Sequence, residues 1–69
     1  MSKYKIIVKV GNDKFVKYHS SNLLTFTYFL DKDWKEWRYF NVYGKDGNLL
    51  DSFTQAKRPL TKYVSLSLF

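Results

Sequence analysis

The chain has 69 residues, and its twelve lysine or arginine residues against six acidic residues give a formal net charge of +6. This length accommodates one domain, so we treat residues 1–69 as a single unit. The chain contains no cysteine and one histidine, which excludes disulfide bridges, thiolate zinc sites and histidine-rich metal sites. The interior must therefore be stabilised by apolar burial, for which six Phe, six Tyr and two Trp supply large surfaces.

The first twenty residues predict a β-hairpin. Apolar residues alternate with lysines from Tyr4 to Val10, which is the period of a strand with one apolar and one mostly cationic face. Gly11-Asn12-Asp13 has the chemistry of a tight turn, because glycine and asparagine tolerate positive φ. Residues 14–20 then return as a second strand.

Residues 23–30, with the sequence Leu-Leu-Thr-Phe-Thr-Tyr-Phe-Leu, are rich in β-branched and aromatic side chains that suit a pleated sheet. We therefore predict a strand in this segment. A short helix near 21–30 is the alternative, since Ser21 or Asn22 could cap its first turn.

The second half of the chain also predicts extended structure. Alternation resumes over residues 34–43, and Asp46-Gly47 is a strong turn signal before a short strand at 49–53. Residues 55–59 predict a loop, and residues 60–69 contain a last half-buried strand. The fold class is therefore mostly β: a small antiparallel barrel or sandwich of about five to six strands, SH3-like or OB-like.

Residues for catalysis are not arranged in any recognisable motif. His19 is the only histidine, and no nucleophile-elbow sequence accompanies it. The acidic cluster of Asp31, Asp33 and Glu36 lacks the glycine and the ligand number of a calcium loop. The three glycines form no phosphate-binding loop. We therefore expect a protein that is not an enzyme and has no catalytic residues, no metal site and no cofactor.

The most informative segment, residues 34–43, holds more large rings than one face of a small core can absorb. If Phe40 and Val42 face the interior, alternation turns the other rings of the segment outward. The predicted partner-binding residues are Trp34, Trp37, Arg38, Tyr39 and Tyr43. Trp, Tyr and Arg concentrate at the hot spots of protein interfaces, so a protein partner is the favoured interpretation by a small margin.

Nucleic acid is the alternative partner, because exposed rings beside cations can stack on bases and contact phosphates. The predicted nucleic-acid-binding residues are Lys3, Lys5, Lys9, Lys14, Lys17 and Arg38. The same surface would also be explained if the rest of the fold, or a second copy in a homodimer, covered it. The excess of lysine is equally expected from AT-rich coding DNA, without any selection for binding.

In size and style the chain resembles the accessory proteins of phages and other mobile elements. That resemblance implies a small non-enzymatic module that docks on a larger macromolecule as an inhibitor or modulator. The aromatic RNA-binding signatures of cold-shock and RRM domains are absent from the sequence. Lysines interrupt the apolar residues at the start, and no apolar run approaches about 18 residues, so we expect a cytoplasmic protein without membrane contact.

Overall fold

The computed structural model describes residues 3–63, which form one antiparallel sheet with a helix on one of its faces. The elements are β1 (Tyr4–Val10), β2 (Lys14–Ser20), α1 (Leu23–Asp33), β3 (Trp37–Tyr43) and β4 (Leu49–Thr54). The strand order is β2-β1-β3-β4, so β1 and β3 are the inner strands.

The predicted mostly β class is confirmed, but the predicted closed barrel is not. The described part of the chain forms a single open sheet of four strands, whereas about five to six strands were predicted. Residues 60–63 are bends without strand pairing, and the remainder of the predicted last strand, residues 64–69, lies outside the described residues.

Residues 23–33 form a helix, so the predicted strand at 23–30 is wrong and the alternative helix is correct. Asn22 caps its first turn, because its Oδ1 accepts a hydrogen bond from the Thr25 backbone N–H at 3.1 Å. The buried residues follow the helical period, and they are Leu23, Phe26, Thr27 and Leu30. The preference of aromatic and β-branched residues for strands depends strongly on context. Packing of this segment against the sheet therefore decides between the strand and the helix.

The core lies between α1 and one face of the sheet. Its buried apolar residues are Ile6, Val8, Val10, Leu23, Phe26, Leu30, Trp37, Phe40, Val42 and Phe53. Phe40 is at the centre, with its ring centroid 5.3 Å from that of Phe26, 5.5 Å from Trp37 and 5.3 Å from Phe53. Such edge and tilted contacts are the favoured arrangements of aromatic rings. Aromatic packing therefore supplies much of the apolar burial that stabilises this small domain.

A β-bulge at the start of β3 changes which residues face the core. The register shifts between Lys9 and Val10, so that Tyr39 lies opposite Lys9 while Trp37 lies opposite Val10. Arg38 is the extra residue, and one extra residue reverses the alternation of the residues before it. Trp37 consequently points into the core with 2% of its surface exposed, and its predicted outward orientation is wrong.

Asp31 connects the end of α1 to β3 and to the segment after β4. Its carboxylate accepts one hydrogen bond from Trp37 Nε1–H at 3.2 Å and another from the Arg58 guanidinium. The same guanidinium lies 5.8 Å from the centroid of the Trp37 ring. These contacts hold the segment after β4 on the helix side of the sheet, where Lys62 O also accepts a hydrogen bond from Leu23 N–H at 2.7 Å.

The Asp31 carboxylate should make the free energy of unfolding depend on pH. Desolvation raises the pKa of Asp31, but hydrogen bonds from Arg58 and Trp37, with the charge of Arg58, outweigh it and lower the pKa. The ionised form therefore stabilises the fold above the unfolded-state pKa of about 3.9, and this contribution is lost as pH falls through the folded pKa. The side chains of Arg58 and Asp31 are 36% and 41% exposed, so solvent screening keeps the effect below about 1 kcal/mol.

We expect Asp31→Asn to lower the free energy of unfolding at neutral pH, with the difference from wild type narrowing below about pH 4. Urea denaturation at several pH values measures this difference. Asp33→Asn removes the same charge from an exposed position two residues away and serves as the control. A penalty for Asp31→Asn that is the same at every pH would show that the ion pair is not its cause.

Candidate functional site

The sheet face that points away from α1 is the candidate site, and we call it the open face. No element within residues 3–63 covers it, since both α1 and the segment after β4 lie on the other side. The cross-strand register arranges its side chains in rows. The first row is His19, Lys5, Tyr43 and Leu49. The second row is Lys17, Ile7, Asn41 and Ser52, and the third is Phe15, Lys9, Tyr39 and Thr54.

Each lysine of the inner strand β1 on this face lies beside a tyrosine of β3. Lys5 is directly opposite Tyr43, and Lys9 is directly opposite Tyr39. Cβ atoms of directly opposite residues are about 4.5–5.5 Å apart, so each lysine side chain begins next to a tyrosine side chain. On its other side, Lys9 Nζ lies 4.4 Å from the centroid of the Phe15 ring.

The open face is positively charged, because its strand positions carry three lysines and no carboxylate. The only acidic residue within the four strands, Asp51, lies opposite Val42 in the register, and its Oδ1 is 3.8 Å from Lys57 Nζ. A surface whose strand positions carry cations and no carboxylate attracts anionic ligands over a distance of about one Debye length.

Hydrogen bonds order the polar side chains in the middle of the face. Ser52 Oγ donates to Asn41 Oδ1 at 2.7 Å, and Asn41 Nδ2 donates to the Tyr43 hydroxyl at 3.4 Å. The Asn41 amide thereby connects β4 to the Tyr43 ring. A ring that is already oriented loses less conformational entropy when a ligand stacks on it.

The structure separates the predicted partner-binding residues. Tyr39 and Tyr43 lie on the open face and are half-buried, whereas Trp37 lies in the core. Trp34 is half-buried against the core on the helix side, and its Nε1–H donates to the Tyr18 hydroxyl at 2.7 Å. Arg38 is exposed at the bulge. The five predicted residues therefore do not form one surface.

The predicted nucleic-acid-binding lysines are brought together more closely. Lys5, Lys9 and Lys17 lie on the open face. Lys14 faces the helix side instead, with its Nζ 4.7 Å from the centroid of the Trp34 ring. Lys3 precedes β1 and is exposed.

Sequence reasoning missed several residues of the face. They are Ile7, Phe15, His19, Asn41, Leu49, Ser52 and Thr54. The signal for two of them was present in the sequence, because the predicted hairpin already places Phe15 opposite Lys9 and His19 opposite Lys5. Asn41 and Ser52 join the face only through the pairing of β3 with β1 and β4, which no local pattern reveals.

No protein-family model, curated protein or solved structure matches this chain. The fold and the site define the class of protein: it is a small domain with one helix on one face of the sheet and a basic, aromatic surface on the other face. No helix within residues 3–63 has the length and apolar character needed to cross a membrane. The same residues contain no group of three His, Asp or Glu side chains that could hold a metal ion.

Proposed function

We propose that this protein is a non-enzymatic module that binds single-stranded nucleic acid on its open face. The observation that carries the proposal is the pairing of Lys5 with Tyr43 and of Lys9 with Tyr39 on adjacent inner strands. Proteins that bind single strands combine cations that contact the backbone with aromatic rings on which bases stack. The sequence slightly favoured a protein partner, and the position of these lysines beside the tyrosines supports nucleic acid instead.

The spacing of the tyrosines favours an extended single strand over a duplex. Tyr39 and Tyr43 are four residues apart on β3, which corresponds to about 13 Å along an extended strand. Stacked bases are separated by about 3.4 Å, so the two rings cannot receive neighbouring bases of a regular stack. A duplex also keeps the flat faces of its bases inside the stack. Two bases of an unstacked strand, separated by a spacer, fit the geometry.

The dependence of affinity on salt tests the proposal. If three lysines contact phosphates, log K for a fluorescent single-stranded oligonucleotide should fall against log salt with a slope of about −2. Replacing Lys5 and Lys9 with glutamine removes two contacts and should make the slope shallower by about 1.4. Fluorescence anisotropy titrations at a series of salt concentrations measure both values.

The control for net charge is a double variant with Lys32→Gln and Lys35→Gln, both exposed outside the open face. It loses the same charge and should keep the slope of the wild type. Equal changes of slope in the two double variants would show that binding depends on the total charge and not on the lysines of the open face. Absence of binding to both single- and double-stranded oligonucleotides at low salt would reject the proposal.

A protein partner is the second candidate, and the exposure of Leu49 and Leu50 at the edge strand β4 favours it. These side chains are 58% and 41% exposed. Within residues 3–63, β4 is at the edge of the sheet, where leucines can pack against a docked chain that also pairs with the backbone of the strand. Capture of a partner that resists nuclease treatment and is lost on Leu49→Ser with Leu50→Ser would support docking at β4. Capture that nuclease abolishes would support nucleic acid.

A further inference from the structure

The first row of the open face contains a groove of about 520 Å³, within the range of sites that hold small molecules. The side chains that matter for its chemistry are those of Lys5, Ile7, Lys17, His19 and Tyr43. The β3–β4 turn borders it at Gly47. Gly47 has a φ of +84°, and a Cβ there would meet no heavy atom within 4 Å, so the groove is open at this end.

Three nitrogen-bearing side chains, of Lys5, Lys17 and His19, line this groove as neighbours on β1 and β2. Lys5 is directly opposite His19 and diagonal to Lys17, at Cβ separations of about 5 Å and about 7–8 Å respectively. The two ammonium groups and an imidazole N–H can all donate hydrogen bonds to one anion. Within residues 3–63 no carboxylate lines the groove to neutralise them.

The opposite side of the groove is apolar and aromatic. Tyr43 lies on the other side of Lys5 from His19, and its hydroxyl is held by Asn41 Nδ2. Ile7 is the neighbour of Lys5 along the same face of β1. A flat ring and an aliphatic side chain form the type of surface on which a nucleobase stacks. The groove therefore offers donors for a phosphate and a stacking surface for a base.

We propose that the groove formed by Lys5, Lys17, His19 and Tyr43 binds the terminal phosphomonoester and last nucleotide of a single strand. This inference rests on the proposed function and adds a site for one end of the strand. A phosphodiester in the strand carries one negative charge, whereas a phosphomonoester carries about −1.5 to −2 at neutral pH. Two lysines and an imidazole within one groove match the doubly charged group better. The strand would begin there and continue over Ile7 toward Lys9 and Tyr39.

The test compares oligonucleotides of one sequence that carry a 5′-phosphate, a 3′-phosphate or only hydroxyl ends. One of the phosphorylated strands should bind about tenfold more tightly than the hydroxyl-ended strand, the gain expected from an added charge-assisted hydrogen bond at an exposed site. The variant Lys17→Gln with His19→Gln should reduce this ratio to near one. Lys14→Gln is on the same strand but faces the helix side, so it should keep the ratio.

The outcomes separate this inference from the proposed function. Equal affinity for all three strands would overturn the terminal site while leaving single-strand binding intact. A ratio that persists in the Lys17→Gln, His19→Gln variant would also overturn it. If no oligonucleotide binds, both proposals fail together. A nucleoside monophosphate that shifts the NMR signals of Lys5 and Tyr43, where the nucleoside alone does not, would support the groove independently of strand length.

Discussion

Replacing Phe40 with alanine is expected to lower the free energy of unfolding by about 3–5 kcal/mol. The side chain is fully buried, and its ring contacts those of Phe26, Trp37 and Phe53. Truncation of a buried Phe costs about 3–5 kcal/mol, because apolar contacts are lost and a cavity remains. For 69 residues, the total free energy of unfolding is about 3–10 kcal/mol, so this loss removes at least about a third of the stability.

Phe15→Ala is the matched control, since it deletes the same atoms from a side chain that is 56% exposed on the open face. We expect it to cost less than about 1 kcal/mol, mainly through the lost contact with the Lys9 ammonium group. Urea denaturation followed by circular dichroism compares the two variants. Similar urea midpoints for Phe40→Ala and Phe15→Ala would contradict the placement of the core between α1 and the sheet.

Local sequence patterns were sufficient to predict the hairpin and the strand β4. The hairpin of β1 and β2 was predicted to within a residue at its ends, and the strand predicted at 49–53 corresponds to β4 at Leu49–Thr54. β1 has apolar residues at a period of two, and all three strands are bounded by turn or loop residues. The turn glycines Gly11 and Gly47 have φ values of +60° and +84°, which is the conformation for which glycine is favoured. The information for these elements is contained in short windows of sequence.

The helix could not be identified from a short window, because residues 23–30 fit both periods. Leu24, Phe26, Tyr28 and Leu30 would share a strand face, whereas the structure buries Leu23, Phe26, Thr27 and Leu30. The strand order resolves the ambiguity. β2 and β3 both run antiparallel to β1, which lies between them, so the chain must return along the length of the sheet. A helix makes this return while covering the core, as in other crossover connections between parallel strands.

Only some residues of the open face could be predicted from the sequence, because the β-bulge in β3 and the strand order are tertiary features. Tyr39 and Tyr43 were placed correctly because they follow the bulge, and Trp37 was not because it precedes the bulge. One extra residue in β3, where it pairs with β1, moves the residues before it to the opposite face of the sheet. The composition of the segment does not indicate this bulge. The lysines of β1 were assigned to one face by their own alternation. Their proximity to the tyrosines depends on strand order, which only the tertiary structure supplies.

Replacing both Tyr39 and Tyr43 with alanine is expected to weaken single-strand binding by at least about 30-fold. Each base that stacks on an aromatic side chain contributes about 1–3 kcal/mol, so the loss of two such contacts is about 2–6 kcal/mol. The lysines remain in this variant, so the slope of log K against log salt should stay at the wild-type value. Fluorescence anisotropy at several salt concentrations measures affinity and slope in one experiment.

Two control variants distinguish stacking from a general loss of aromatic surface. The first replaces Tyr39 and Tyr43 with phenylalanine, which keeps the flat rings and should retain affinity within a few-fold, since stacking needs the ring and not the hydroxyl. The second replaces Tyr28 and Tyr63, which are 66% and 57% exposed, with alanine. Neither ring belongs to the open face, so binding should be unaffected. Equal losses in the two alanine variants, or a phenylalanine variant as weak as the alanine one, would show that bases do not stack on Tyr39 and Tyr43.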